Sequence, residues 1–271
     1  MSVALEKRAA GSGLAVTGGF EKNRRMIVSS LAVLIFLLAW QVLPSLGVVD
    51  IRLTSTPLRV LATAGEVVFG DEFAGDVWIS AVEFFAGMAL AIAVGIPLGL
   101  ILGTSKTLRL FVDPPLMAIY ATPRLALLPI IVVWLGIGLA SKIAVVFLGA
   151  VFYVLINTMA GVTETDQRLV RAARSFGATR LDIFTRIILP SALPGVMIGI
   201  RLGIGRGVLG VIVGEMFSSE AGLGNKIMTY GEAVRIDHLL VYTLFVSLCG
   251  YLMTTGARML EERFRRWRPQ P

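Results

Sequence analysis

Runs of about 20 consecutive apolar residues recur along this 271-residue chain, and they restrict its fold more than any other feature. A helix needs about 20 mostly apolar residues to cross the hydrocarbon core of a bilayer. Five runs meet this condition: Met26–Leu46, Ala81–Leu102, Lys142–Val162, Ser191–Gly214 and Leu239–Leu260. The chain is 56% hydrophobic and 16% charged, with a mean hydropathy of +0.80, outside the range of water-soluble domains. The sequence therefore predicts an all-α integral membrane protein.

A sixth run, Pro114–Leu135, is long enough to span but contains Pro123, Arg124 and Pro129. A spanning helix tolerates such residues where neighbouring helices or a polar cavity satisfy the freed backbone groups. We interpret it as a kinked third span, which gives about six transmembrane helices. The first run follows two arginines as a signal sequence does, but it is too long and lacks a clear cleavage site, so we interpret it as an anchor.

Basic residues indicate the orientation of the spans. Seventeen Lys and Arg residues lie in the N-terminal tail, the second-to-third loop, the fourth-to-fifth loop and the C-terminal tail, against five in the alternating segments. Positive residues favour the cytoplasmic side, so we expect both tails, 1–25 and 261–271, in the cytoplasm. This topology explains the net charge of +7 without nucleic acid as a partner. On the outer side, Pro57 is predicted to open a short amphipathic helix.

Glycines recur every four residues in two spans. They are Gly95, Gly99 and Gly103 in the second span, and Gly195, Gly199, Gly203 and Gly207 in the fifth. Glycines four apart line one helix face and let another helix approach closely. The ridges therefore predict a compact bundle, either through packing within the chain or through a dimer seam, with lining of a pathway as the third reading.

The loop 163–190 is organised rather than merely polar. Thr163 with Asp166, and Thr179 with Asp182, each fit a capping box, and Gly177 suits a left-handed end for the first of the two short helices. Apolar residues occur where a solvated loop does not need them: Val170, Phe176, Leu181, Phe184 and Ile188. A protein partner at the membrane face, or packing beneath the bundle, accounts for them.

The stretch RAARSFGATRLDIFTRIILP, residues 171–190, resembles the cytoplasmic EAA loop of the membrane-spanning subunits of ATP-binding-cassette (ABC) importers. The matching residues are Ala172, Ala173, Gly177, Ile187, Leu189 and Pro190. Arg171 replaces the glutamate that opens the family pattern. TPRLALLPIIVVWLGIG, from Thr122, and RLGIGRGVLGVIVGEM, from Arg201, are similar to permeases for nitrate, sulfonates, taurine, bicarbonate and thiamine-precursor pyrimidines.

This resemblance implies a type I importer transmembrane domain over residues 74–260. It further implies a permease dimer, an ATPase subunit dimer that docks on Arg171 and the matching loop residues, and a periplasmic or lipid-anchored solute-binding protein, in a bacterial inner membrane. No cofactor is expected in this chain, and ATP and Mg²⁺ belong to the partner ATPase. The implied solute is a small anion, although the pyrimidine members leave a neutral or cationic solute open, and the pair of permease chains is either homomeric or heteromeric.

Four charged residues within or next to the spans are the candidates for a translocation pathway. They are Arg124, Arg201, Arg206 and Glu215. An arginine at the centre of a span costs about 2.5–3.5 kcal/mol, so each needs a partner, a cavity or a route to the interface. At 100° per residue, Arg206 falls beside the glycine ridge and is expected in the bundle interior, while Arg201 points nearly the opposite way. Structural ion pairs are the alternative reading.

Catalytic and metal-binding signatures are missing from the sequence. A phosphate-binding glycine loop has lysine directly after its last glycine, whereas Lys106 stands three residues after Gly103. One cysteine, Cys249, and one histidine, His238, cannot build a metal cluster or a Ser/His/Asp set. A membrane enzyme of lipid metabolism that uses carboxylates, and a passive channel, remain the alternatives to a permease; neither explains the spacing of the loop.

Overall fold

A computed structural model describes residues 24 and 26–264, and the regular elements in that part of the chain are helices. The predicted N-terminal tail, apart from Arg24, and residues 265–271 of the predicted basic tail lie outside the described residues. Five described helices are long and apolar enough to cross a membrane, or six if one bent pair of helices counts as a span. This confirms the all-α membrane fold.

The described part of the chain divides into two compact units, one up to residue 64 and one from residue 65 onward. In the first, α1 (Met26–Ser45) is the anchor, and Asp50 caps the short helix α2 (Ile51–Thr54) by accepting the Arg52 N–H. The Trp40 Nε1–H donates to the Thr54 carbonyl at 3.1 Å and ties α2 to α1. The helix predicted at Pro57 is present as α3 (Pro57–Val68), with proline as its first residue.

The second unit is a bundle of long helices with short connecting elements. In order these are α4 (Phe73–Thr104), α5 (Lys106–Ala121), a 3-10 turn (Arg124–Leu127), α6 (Leu128–Leu135), α7 (Leu139–Thr163), α8 (Gln167–Ser175), α9 (Arg180–Ile183), a π turn (Phe184–Ile188), α10 (Leu189–Ser218), α11 (Leu223–Glu232) and α12 (Ile236–Phe264). The spanning helices are longer than the predicted apolar runs, because hydropathy does not detect the helical turns at their ends that carry charged residues.

The third span is broken rather than gently kinked. Helix α5 ends at Ala121, and the segment from Arg124 to Leu135 leaves it at 78°. Pro123 explains the break, because the ring disfavours helical geometry at the preceding residue and supplies no N–H. The predicted interruption is confirmed, but the apolar run Pro114–Leu135 is two helical segments and not one.

Helix α7 lies at the centre of the bundle and makes its most extensive contacts with α4 and α10. The α4 ridge packs against β-branched residues of α7 at the same four-residue spacing. A Cβ placed on Gly99 would lie 2.6 Å from Cβ of Thr158 and 2.7 Å from the Leu155 carbonyl oxygen. The two backbones therefore touch, as small residues allow in lipid.

The α10 ridge faces the same chain. A Cβ on Gly195 would lie 2.6 Å from the Asn157 carbonyl oxygen, and one on Gly199 would lie 2.9 Å from that of Tyr153, both on α7. Gly207 faces Phe84 of α4. Packing within the chain is thus the correct reading of the ridge, and it gives no support for a dimer seam along these glycines.

The close contact between α4 and α7 yields a stability prediction. Gly99→Ala forces the helices apart and should cost about 1–3 kcal/mol, as overpacking does. Gly256→Ala in α12 is the matched control, because its Cβ would meet nothing within 4 Å. Thermal unfolding in detergent, followed by size-exclusion chromatography, measures both variants. Equal midpoints for the two would contradict the packing.

Candidate functional site

A cavity of about 290 Å³ opens where the broken third span meets α7 and α10, and two of the intramembrane arginines line it. Arg124 reaches it from the 3-10 turn that follows Pro123, and Arg206 reaches it from α10. The rest of the wall is mostly apolar, with Tyr120, Ile131 and Leu148 among its residues. Two guanidinium groups in a mostly apolar wall make this cavity cationic.

Aromatic rings position both guanidinium groups. The Arg124 Cζ lies 5.2 Å from the ring centroid of Tyr120 and 5.5 Å from that of Tyr153, and the Arg206 Cζ lies 5.4 Å from the Tyr153 ring. The Tyr120 and Tyr153 rings meet edge to face at 5.7 Å. Cation–π contact with these rings stabilises each charge and leaves N–H groups free.

Neither arginine is neutralised within the described part of the chain. Arg124 donates from Nη1 to the Leu148 carbonyl oxygen at 3.3 Å, and no carboxylate oxygen of the described residues lies within 4.0 Å of Arg124 or Arg206. Within the single chain, Arg206 lies on an exposed face of α10 at the cavity and not between the packed helices. The ridge glycines beside it face α4 and α7, whereas the side chain of Arg206 lies outside that helix–helix contact.

Two other candidates from the sequence lie elsewhere. Arg201 pairs with Glu261 of α12, Nε to Oε2 at 2.7 Å, which is the structural ion pair left open as its alternative reading. Glu215 is fully buried near the end of α10 and does not line the arginine cavity. Of the four charged candidates, Arg124 and Arg206 therefore line one cavity, whereas Arg201 and Glu215 make contacts with other residues of the chain.

The organised loop is a helix, a glycine turn and a second helix. Gly177 has φ 81°, the left-handed value expected for it, between α8 and α9. Thr179 and Asp182 form the predicted capping box. Helix α9 then continues through the π turn into α10. The turn is wider than a regular helix because the Leu189 N–H donates to the Phe184 carbonyl, five residues back, and Pro190 has no N–H to donate.

The start of the loop differs from the prediction. Thr163 is the last residue of α7, and its hydroxyl bonds the Ala160 carbonyl, so no capping box joins it to Asp166. Asp166 alone caps α8 by accepting the Arg168 N–H, and this hydrogen bond lowers the pKa of the Asp166 carboxyl. The apolar run of α7 carries Thr163 within the helix, which removes it from the capping position.

The loop presents apolar side chains outward. Phe176 is 92% exposed and Leu181 is 71% exposed, whereas Val170 is buried against the chain. Among the residues of the EAA-like pattern, Arg171, Ala172 and Gly177 are exposed, Ala173 is half-buried, and Ile187, Leu189 and Pro190 are half-buried where the loop joins α10. The loop therefore has an anchored base and an apolar outer surface.

Residues 95–266 match the family described as binding-protein-dependent transport system inner membrane component. The chain belongs to this family. It is 32% identical over 229 residues to the putative aliphatic sulfonates transport permease protein SsuC of Bacillus subtilis (strain 168), which covers 84% of this chain and 83% of that protein. It is 30% identical over 275 residues to the taurine transport system permease protein TauC of Escherichia coli (strain K12), which covers 98% of each.

The fold agrees with this assignment. The MetNI methionine ABC transporter, solved in inward facing conformations, is similar with a TM-score of 0.63 at 21% identity, over 70% of this chain and 95% of that chain. The protein is thus a multi-pass permease subunit of an ABC importer with the type I transmembrane fold. The comparisons favour this reading over a lipid-metabolising enzyme or a passive channel.

Sequence reasoning missed Glu83 and Lys142, which form a buried group of charges with Glu215. Glu83 of α4 is 1% exposed, and its Oε1 accepts from Nζ of Lys142 at 2.8 Å, at the start of α7. The same Nζ donates to Oγ of Ser219 at 2.7 Å. Glu215 lies beside Glu83 and interacts with it electrostatically. The signal available in the sequence was that Glu83 falls inside an apolar run, where a charge needs a partner.

The buried pair yields a second stability prediction. Lys142→Met leaves Glu83 and Glu215 together without a cation, and breaking such a pair costs about 3–5 kcal/mol. The double variant Glu83→Leu/Lys142→Met should recover much of that loss, since it removes both charges. The exposed pair Arg258–Glu262 is the control, because Arg258→Met should change stability by about 0.5 kcal/mol or less. Additive losses in the double variant, measured by thermal unfolding, would contradict the pairing.

Proposed function

We propose that this permease imports a small organic anion of the sulfonate class and that Arg124 and Arg206 receive the anion in their shared cavity. The observation that carries the proposal is the pair of guanidinium groups, without carboxylate partners among the described residues, that line one cavity. The printed functions of the relatives, aliphatic sulfonate and taurine transport, support the same class of solute.

The chemistry of the cavity suits a compact oxyanion. A guanidinium presents several N–H donors in a planar fork that matches the oxygens of a sulfonate, carboxylate or phosphate. The aromatic rings around Arg124 and Arg206 hold the charges in place without neutralising them, and the mostly apolar wall offers few other hydrogen-bonding groups to the anion. An anion that enters therefore exchanges its hydration for two charge-assisted contacts.

A second permease chain is part of this proposal. Arg206 lies on an uncovered face of α10, next to Gly205, whose Cβ would meet nothing within 4 Å. An arginine that faces lipid at the centre of a span is costly, so a second copy against this face of α10 gives Arg206 a protein or aqueous surrounding. The two cavities then meet along one pathway between the copies.

The arginine proposal predicts a change in substrate affinity. Arg124→Gln and Arg206→Gln each remove one charge-assisted contact, which contributes about 1.5–3 kcal/mol, so the KM for uptake should rise about tenfold or more. Arg201→Gln in the same helix is the matched control: it breaks the pair with Glu261 and should lower stability while it leaves KM unchanged. Uptake of labelled taurine and of a linear alkanesulfonate into proteoliposomes, at equal amounts of assembled complex, measures the three variants. An unchanged KM in both cavity variants would refute the anion-receiving role.

The loop of residues 163–190 is proposed to dock on a separate ATPase subunit, one for each permease chain, which binds the ATP and Mg²⁺. The exposed Phe176 and Leu181 support this, because a large apolar surface at a loop tip is typical of an interaction site. With the loop in the cytoplasm, both termini lie on the same side, and a solute-binding protein meets the opposite face. The basic-residue distribution supports that orientation.

The docking proposal predicts that backbone geometry at Gly177 controls coupling. Its Cβ would meet no atom within 4 Å, so the cost of substitution comes from the positive φ alone. Gly177→Val should cost about 1–2 kcal/mol in local conformation and displace Phe176. Gly177→Asn is the matched control, since asparagine adopts the left-handed region readily.

In proteoliposomes, the valine variant should insert normally and lose ATP-driven uptake, while the asparagine variant should keep most of it. Phe176→Ser should weaken copurification of the ATPase without a change in permease stability, because the side chain has few contacts within the chain. Wild-type coupling in both Gly177→Val and Phe176→Ser would rule out docking at this turn.

A further inference from the structure

The N-terminus of α11 is held by side chains that come from other helices. The Gly222 N–H donates to Oδ1 of Asp76 at 2.8 Å, the Leu223 N–H donates to Oγ of Ser80 at 3.0 Å, and the Gly224 N–H donates to Oε2 of Glu215 at 2.6 Å. Gly222 is the capping residue and has no side chain with which to cap. Three successive amides of α11 thus depend on residues of α4 and α10.

These acceptors are themselves joined across the spans. The Ser80 hydroxyl of α4 donates to Oε1 of Glu215 of α10 at 2.5 Å. Lys142 of α7 donates to the Ser219 hydroxyl in the turn that leads into α11. Three spanning helices therefore meet at one short turn, and we name Asp76, Ser80, Lys142 and Glu215 the α11 latch.

The latch is enclosed within the protein. Asp76 and Ser80 are each 4% exposed and Glu215 is 0% exposed. A Cβ on Gly222 or Gly224 would overlap the Glu215 side chain, so the turn fits the carboxylate only with glycine at both positions. Buried polar groups that lose a partner pay a desolvation cost, which makes the arrangement sensitive to any shift between α4 and α10.

The first turn of α11 also carries an ion pair that reaches the surface. Lys226 pairs with Glu72, just before α4, and lies 3.9 Å from Oδ2 of Asp76. The hydrogen bond to Glu72 raises the pKa of the Lys226 amine and keeps it charged. The Tyr230 ring stacks on Tyr242 of α12 at 5.7 Å. The last residue of α11, Glu232, is exposed. Helix α11 thus extends from a buried anchor to an accessible end, and α10 separates it from the loop 163–190.

We infer that the α11 latch couples α11 to the outer ends of α4, α7 and α10, so that docking of the solute-binding protein at α11 shifts the spans and so stimulates the ATPase. The inference rests on the proposed function for its partners. The residues of the latch are positioning residues that touch no solute. Because the caps of α11 come from separate spans, α11 moves with their relative position and not as an independent surface helix.

The direct test uses the complete complex of permease, ATPase and binding protein in nanodiscs, with taurine as the probe. Ser80→Ala removes both the donor to Glu215 and the acceptor of the Leu223 N–H. Basal ATP hydrolysis without binding protein should stay near the wild-type rate, while stimulation by the taurine-loaded binding protein should fall about tenfold, within the range of coupling between distant sites. A parallel fall in both rates would show a structural role only and would overturn the inference.

Two serine variants serve as controls. Ser80→Thr keeps the hydroxyl, and its added methyl has room in the adjoining apolar cavity of about 170 Å³ that Ser80 lines, so stimulation should return. Ser247→Ala removes an exposed hydroxyl that bonds only its own helix at the Thr243 carbonyl, and it should behave as wild type. Loss of stimulation in Ser80→Thr and Ser247→Ala as well would contradict a specific latch.

Hydrogen exchange separates failure of the latch from failure of the proposed function. If the wild-type complex shows no stimulation with taurine, the proposed solute class or partner is wrong. The latch is then tested by an amide-exchange measurement that needs no solute. Trapping the ATPase with MgATP and vanadate should change amide exchange at Gly222–Gly224 in the wild type by about fivefold, the effect of one hydrogen bond. No change at these amides on trapping would overturn the latch, whatever the solute.

Discussion

Close contact of two glycine-lined helices with α7 is the interaction on which the rest of this structure depends. In a bilayer, apolar side chains gain little free energy by moving from lipid into a helix–helix contact. Helices therefore associate through close packing and polar contacts. The glycines of α4 and α10 bring both backbones against α7. The resulting core is small and dense, with Ala91, Val146, Ala150 and Val154 among its buried residues.

That packing creates two different polar environments. Near the ends of the helices that lie away from the loop 163–190, Glu83, Lys142 and Glu215 are enclosed, and each finds partners on another helix. At the broken third span, by contrast, the helices diverge, and Arg124 and Arg206 line an open cavity. Buried charge in the first place joins one helix to another, whereas Arg124 and Arg206 in the second have no carboxylate partner among the described residues.

Much of the fold was accessible from the sequence, because apolar run length and glycine spacing are local properties. The break near Pro123, the left-handed Gly177 and the capping box at Thr179 followed from single residues and their neighbours. The positions of the functional residues were harder to predict from the sequence than the fold. Helical-wheel geometry placed Arg206 correctly beside the ridge but could not tell which side of the ridge the next helix covers. The capping pattern at Thr163 failed because α7 continued through it.

By itself, the sequence determined that the chain spans a membrane with about six helices and where the backbone must bend. The spacing in its loop 163–190 resembles that of importer permeases. Only the tertiary structure decided that the α10 ridge packs within the chain, and that Arg124 and Arg206 share a cavity while Arg201 pairs with Glu261. It also decided that Asp76, Ser80 and Glu215 accept hydrogen bonds from the N-terminus of α11. The physical reason is that run length, bends and caps depend on residues a few positions apart. The partner of a buried charge is set by which helices meet, over sequence separations that no local pattern records.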